Sequence, residues 1–137
     1  MTTELTWLTY TALLAASLWI PFVFGVTVTD FEGKEGLFVR PPDPGKMLPW
    51  VHRSLRVHQN LLEQLIPFAI IVLISAAVGV STPITVTCSI IFFWLRVGHA
   101  VVMLSGFARA PLRPLIYVAG WVVTLVCAWQ LLATAKA

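Results

Sequence analysis

Charge is what this sequence has least of. Asp, Glu, Lys and Arg make up 11% of its 137 residues, against about a quarter in a soluble domain. Residues 5–29 carry no charged side chain, and neither does the connection Gly79-Val80-Ser81-Thr82-Pro83. Without a basic, wettable surface the chain has nothing to offer a nucleic acid, and that partner class is excluded. Cysteine is scarce too. Cys88 and Cys127 stand singly in apolar runs, with neither C-x-x-C nor metal-ligand spacing, and read as small buried hydrophobes. His58 and His99 have no companion ligands, so no metal site is expected. The first residues, Met1-Thr2-Thr3-Glu4, lack the basic stretch of a secretory signal, and the apolar run after them is too long for one. The first helix is therefore expected to be retained.

What is present is apolar length. Hydrophobic residues make up 58% of the chain, and they fall into four runs near 5–29, 57–80, 84–106 and 115–135. Each is long enough to cross a hydrocarbon core of about 30 Å. The expected fold is all-α: a single domain over 1–137, an integral membrane four-helix bundle. Pro21 and Gly25 read as a kink and a close-packing position in the first span. The charge-free turn at 79–83 makes spans two and three an antiparallel hairpin. Between spans one and two the chemistry changes abruptly. Asp30, Glu32, Lys34, Glu35, Arg40, Asp43 and Lys46 alternate with glycines and prolines, and Pro41-Pro42-Asp43-Pro44-Gly45 forbids regular helix. A loop of this length serves either as a lid or as a plain connector.

Lys and Arg placement sets the expected orientation. Lys34, Arg40, Lys46, Arg53, Arg109 and Arg113 flank the first and third loops, the second loop has none, and the C-terminus has only Lys136. The first and third loops are thus expected in the cytoplasm and both termini on the opposite side. Short loops and the lack of targeting signals favour a bacterial inner membrane over an endoplasmic reticulum.

The polar residues of the second span are concentrated in Arg56-Val57-His58-Gln59-Asn60-Leu61-Leu62-Glu63-Gln64. At 3.6 residues per turn, Arg56, Asn60 and Glu63 lie within roughly 60° of one another around the axis. Ionisable groups at membrane depth cost about 2.5–3.5 kcal/mol each on insertion scales, so such a face needs a partner or a purpose. Arg96, His99 and Met103 share a face of the third span, and a rise of about 1.5 Å per residue brings Glu63 level with His99 and within reach of Arg96. A Glu63–Arg96 ion pair is expected, with Arg113 and Tyr117 of the fourth span in the same layer. Such a pair also serves as plain glue between helices, and Tyr117 alone would suit a membrane interface. Convergence of Arg56, Gln59, Asn60, Glu63, Arg96, His99, Arg113 and Tyr117 at one level favours a binding pocket. Its excess of arginine selects an anionic guest.

Arg56-x-His58-x-Asn60-x-x-Glu63, Arg96-x-x-His99 and Arg109-Ala110-Pro111-x-Arg113-x-x-x-Tyr117 together resemble the MAPEG family, the membrane-associated proteins in eicosanoid and glutathione metabolism. The resemblance covers about residues 50–135 in motif order and spacing. It implies a homotrimer of four-helix protomers with glutathione as co-substrate, bound between neighbouring subunits near the cytoplasmic side. It also implies that Arg113 donates to the glutathione sulfur, while Arg56, Asn60, Glu63, His99 and Tyr117 hold or brace the tripeptide. Three positions depart from the pattern of the prostaglandin synthase relatives. Gln59 replaces a second arginine, Met103 a tyrosine, and Pro114 a serine; the first span also lacks a basic residue near its cytoplasmic end.

Two functions follow as expectations. One is a glutathione-dependent transferase, or peroxidase, acting on hydrophobic electrophiles that enter from lipid. The other is a non-catalytic membrane scaffold of the same architecture that has lost productive glutathione binding. A small multidrug exporter would need a carboxylate within the first span, and residues 5–29 have none.

Overall fold

The computed structural model describes residues 1–36, 43–107 and 111–135. Arg40, Pro41, Pro42, Arg109, Ala110 and Lys136 lie outside the described residues. Five α-helices make up most of the described chain: α1 Thr3–Ser17, α2 Ile20–Val28, α3 Pro49–Ala77, α4 Pro83–Leu104 and α5 Leu112–Thr134. Among the described residues, four stretches are long and apolar enough to cross a membrane, the first being α1 and α2 taken together over Thr3–Val28.

Proline and capping chemistry account for where the helices start and bend. Pro21 has no amide to give the preceding turn, so the first span breaks around Leu18 and Trp19 and resumes as α2, which is the expected kink. Pro49 occupies the first helical position of α3, where a missing N–H costs nothing. Helix α3 consequently starts well before residue 57, and the polar cluster sits in its third to fifth turns rather than at its end. Pro67, inside α3, cannot donate to the Glu63 carbonyl and leaves it without its usual intrahelical partner. The α3–α4 turn closes through Gly79, whose φ of +73° suits a residue without a Cβ. It then enters α4 through a reciprocal Thr82–Thr85 capping box.

Helix α4 is the centre of the bundle and packs against α1, α3 and α5. The core runs through Leu8, Leu61, Phe68, Val72, Phe92, Ala100, Met103 and Cys127, all buried. Phe68 of α3 and Phe92 of α4 stack with their rings 3.9 Å apart and 5° from parallel. Cys88 and Cys127 are free and buried, as their apolar setting implied. A second cluster of Val26, Met47 and Val51, with Phe22, Phe31 and Trp50 around it, ties α2 and the first loop to the start of α3. The outward faces are apolar as well, with Leu13, Ile66, Trp94 and Trp129 all exposed. A soluble protein would place charge there, so these faces suit lipid or a neighbouring subunit.

Among the described residues of the first loop, short 3₁₀ turns form at Lys34–Gly36 and Pro44–Lys46. Lys34 gathers the Thr27 and Thr29 carbonyls at 3.0 and 2.8 Å and Asp30 at 3.3 Å. Lys46 meets Glu32 at 2.6 Å. Arg53 donates from Nε to the Met103 carbonyl at 3.1 Å, placing a cation at the C-terminal end of α4.

Candidate functional site: a cleft between α3 and α5

A cavity of about 480 Å³ opens at the end of the bundle where α3 and α5 begin, lined by Arg56, Asn60, Glu63, Arg113, Pro114, Tyr117 and Val118. From α3 come three polar residues on one helical face, at spacings of four and three. From α5 come Arg113 and Tyr117, four residues apart and therefore stacked on one face. Pro114 lies in the first turn of α5, where it costs no hydrogen bond and holds the backbone beside Arg113 stiff. The cleft thus contains two guanidinium groups, one carboxylate, one amide and one phenol. Asn60 is buried, Arg56 and Arg113 are half-buried, and Glu63 is exposed towards the opening. A guest with more negative than positive charge matches that set.

Three of the eight residues expected in the pocket lie outside its lining. Gln59 is exposed beside it, its Oε1 accepting from Arg56 Nη1 at 3.4 Å. His99 and Arg96 are buried in the interior, at 2% and 1% exposure. His58 is half-buried.

The expected Glu63–Arg96 ion pair is corrected by the structure. Among the described residues the ion pairs are Lys34–Asp30 and Lys46–Glu32 alone. The reason is azimuth: successive residues of a helix point about 100° apart, so Glu63 turns into the cleft and Gln64 turns inward. It is Gln64 that meets α5, donating from Nε2 to the Tyr117 carbonyl at 2.8 Å. Arg96 donates from Nη2 to the Ile116 carbonyl at 3.0 Å, and its Cζ stands 5.6 Å over the ring of Phe92. The Arg96 charge is therefore met by a carbonyl dipole and an aromatic face, without a carboxylate. Both side chains reach the α5 backbone through the space left by Gly120. A Cβ there would collide with Gln64 Oε1 and Arg96 Nη2.

Gln64 and Gly120 were not singled out from the sequence. The available signals were an amide one residue past the polar face and a glycine in mid-span. Pro114 and Val118 complete the cleft wall on the same α5 face as Arg113 and Tyr117.

Fold and site together define a multi-span helical membrane protein with an arginine-bearing cleft at one end of its bundle. The model of the MAPEG family matches residues 6–133, nearly the whole chain, and the protein belongs to that family of membrane proteins in glutathione and eicosanoid metabolism. No curated protein matches the chain.

Proposed function

We propose that the cleft binds glutathione and that the protein is a glutathione-dependent membrane transferase acting on hydrophobic electrophiles. The observation that supports this most directly is the lining itself: Arg56, Asn60, Glu63, Arg113 and Tyr117 around about 480 Å³. Glutathione carries two carboxylates, one ammonium group and a thiol. Two arginines match the carboxylates or a carboxylate and a thiolate, Glu63 matches the ammonium, and Asn60 matches a peptide group. The volume falls in the usual range for small-molecule sites, about 300–1,000 Å³. By chemistry and by size, the residues present fit the tripeptide.

Each side chain then has a task. Arg56 and Asn60, the latter held by burial, fix the peptide portion. Glu63 pairs with the ammonium at the open side. Arg113 places a cation at the sulfur, where it favours the thiolate of a group whose unperturbed pKa is about 8.5. Tyr117, one turn on, supplies a hydroxyl to the same region. The bound thiolate supplies the nucleophile for conjugation, or the reductant for a peroxide. The electrophile reaches the cleft from lipid along the apolar faces of α5.

The protein would act as a homotrimer, so that a neighbouring subunit covers part of the half-open cleft. Its first and third loops would be cytoplasmic and both termini on the other side, most simply in a bacterial inner membrane. A second reading, a scaffold without productive glutathione binding, is favoured by Pro114, which gives the wall beside Arg113 no hydroxyl, and by Gln59, which lies outside the cleft lining. Isothermal titration of glutathione into the purified, detergent-solubilised protein separates the two. Saturable heat at millimolar ligand or below is expected, and its absence in folded protein sinks the transferase reading.

A further inference from the structure

Among the described residues, no hydrogen bond or ion pair joins the α3 side of the cleft lining to the α5 side. What joins them lies behind it, where α3 and α4 each send one buried polar side chain to α5. Gln64 Nε2 takes the carbonyl of Tyr117 at 2.8 Å, and Arg96 Nη2 takes the adjacent carbonyl of Ile116 at 3.0 Å. Both side chains are more than nine-tenths buried. Neighbouring carbonyl oxygens lie about 100° apart around the axis of a helix. One such contact would leave α5 free to swivel about it; two, from different helices, fix its rotation. The pinned residues stand three and four positions after Arg113, and Tyr117 is itself one of the cleft residues.

We propose that Gln64 and Arg96 are positioning residues: their paired hydrogen bonds to the Tyr117 and Ile116 carbonyls, admitted by the absence of a side chain at Gly120, set the rotation of α5 and aim Arg113 and Tyr117 into the cleft. This rests on the reading of the cleft as a thiol site. The same Gln64 follows Glu63 directly, so the clamp also sets the distance between the α3 wall and the α5 wall. Arg96 is braced for this work from the other side by Phe92, itself stacked on Phe68. Each of the two buried side chains spends one donor on a backbone carbonyl of the helix that carries the site, while Gln64 Oε1 and Arg96 Nε and Nη1 have no protein partner among the described residues.

The test uses the full-length protein in detergent with two readouts. The first is hydrogen exchange of the amides of residues 112–121 without ligand. The second is the pH dependence of the thiolate absorbance of added glutathione. The variants are Gln64→Leu, Arg96→Leu and Arg96→Lys; exchanging buried polar groups for leucine keeps the interior apolar and is compatible with folding. In folded Gln64→Leu and Arg96→Leu, faster exchange in 112–121 is expected. The thiolate midpoint should also shift towards that of free glutathione, cutting bound thiolate at neutral pH by about tenfold. Arg96→Lys, which retains one donor, should recover part of both signals. Unchanged exchange and an unchanged midpoint in the folded leucine variants would overturn the proposal, and so would an Arg96→Lys no better than Arg96→Leu. If wild-type protein shows no thiolate signal, the thiol reading falls. Exchange then decides the clamp alone: faster exchange in the variants sustains it, and unchanged exchange overturns it.

Discussion

The carboxylate of Glu4 in α1 accepts hydrogen bonds from Thr85 Oγ1 at 2.7 Å and from Ser81 Oγ at 2.8 Å. It is buried, at the end of the bundle opposite the cleft, and it latches the start of the first span to the α3–α4 turn. Thr85 is also half of the capping box that begins α4, so one residue serves both contacts. The sequence shows Glu4 only as a lone acid ahead of the first apolar run; the fold brings it inside.

Glu4→Ala removes the carboxylate that accepts from Ser81 and Thr85, leaving Thr85 Oγ1 the Thr82 carbonyl at 2.9 Å, and should destabilise the protein by about 1–2 kcal/mol. Glu4→Gln, which keeps one acceptor oxygen, should lose less. Thermal unfolding in detergent distinguishes them. Equal stability of Glu4→Ala and wild type would show that the latch contributes nothing.

At Arg113 the prediction concerns chemistry rather than stability. Arg113→Ala should abolish the thiolate absorbance of bound glutathione while leaving helix content and melting temperature close to wild type, because the side chain is half-buried at a cleft wall. Arg113→Lys should retain part of the signal, since it keeps the charge and loses the fork. An undiminished thiolate signal in Arg113→Ala rejects this role for the residue.

Gly25 tests the packing of the first span. A Cβ at that position would come within 2.7 Å of Val51 Cγ2 and 2.8 Å of Trp50 Cη2. Gly25→Ala should therefore force α2 away from α3 at a cost of about 1–3 kcal/mol, seen as a lowered melting temperature. Serine, with its larger side chain, should do no better than alanine.

The first loop carries a pH prediction. The hydrogen bond to Glu32, more than any other influence, raises the Lys46 ammonium above its ordinary value of 10.5. A raised pKa in the folded state means that the contribution is complete below that ordinary value and disappears as pH climbs through the raised one. Hydrogen exchange of residues 30–36 should accordingly show no loss of protection attributable to Lys46 at neutral pH. In Lys46→Met the protection should be weaker than in wild type at neutral pH and equal to it once wild-type Lys46 has lost its proton. Added salt should narrow the neutral-pH difference, because the pair is exposed.

Much of this protein was decided by its sequence alone. Four apolar runs separated by charged or proline-bearing connections leave a helical bundle as the architecture that satisfies every backbone group in lipid. The spacing of Arg56, Asn60 and Glu63 placed them on one face, and the i,i+4 relation of Arg113 and Tyr117 placed those two on another. The structure brings the two faces together in one cleft. Only the tertiary structure decided which inward residue meets which. Rise per residue put Glu63 and Arg96 at similar depth, and on depth alone they are natural partners. Depth is one coordinate, however, and a side chain's direction around its helix depends on how neighbouring helices are rotated. Glu63 and Gln64 differ by one residue and by about 100°, enough to send the acid into the cleft and the amide to the α5 backbone. Gly120 then opens the gap through which Arg96 reaches a carbonyl in place of a carboxylate.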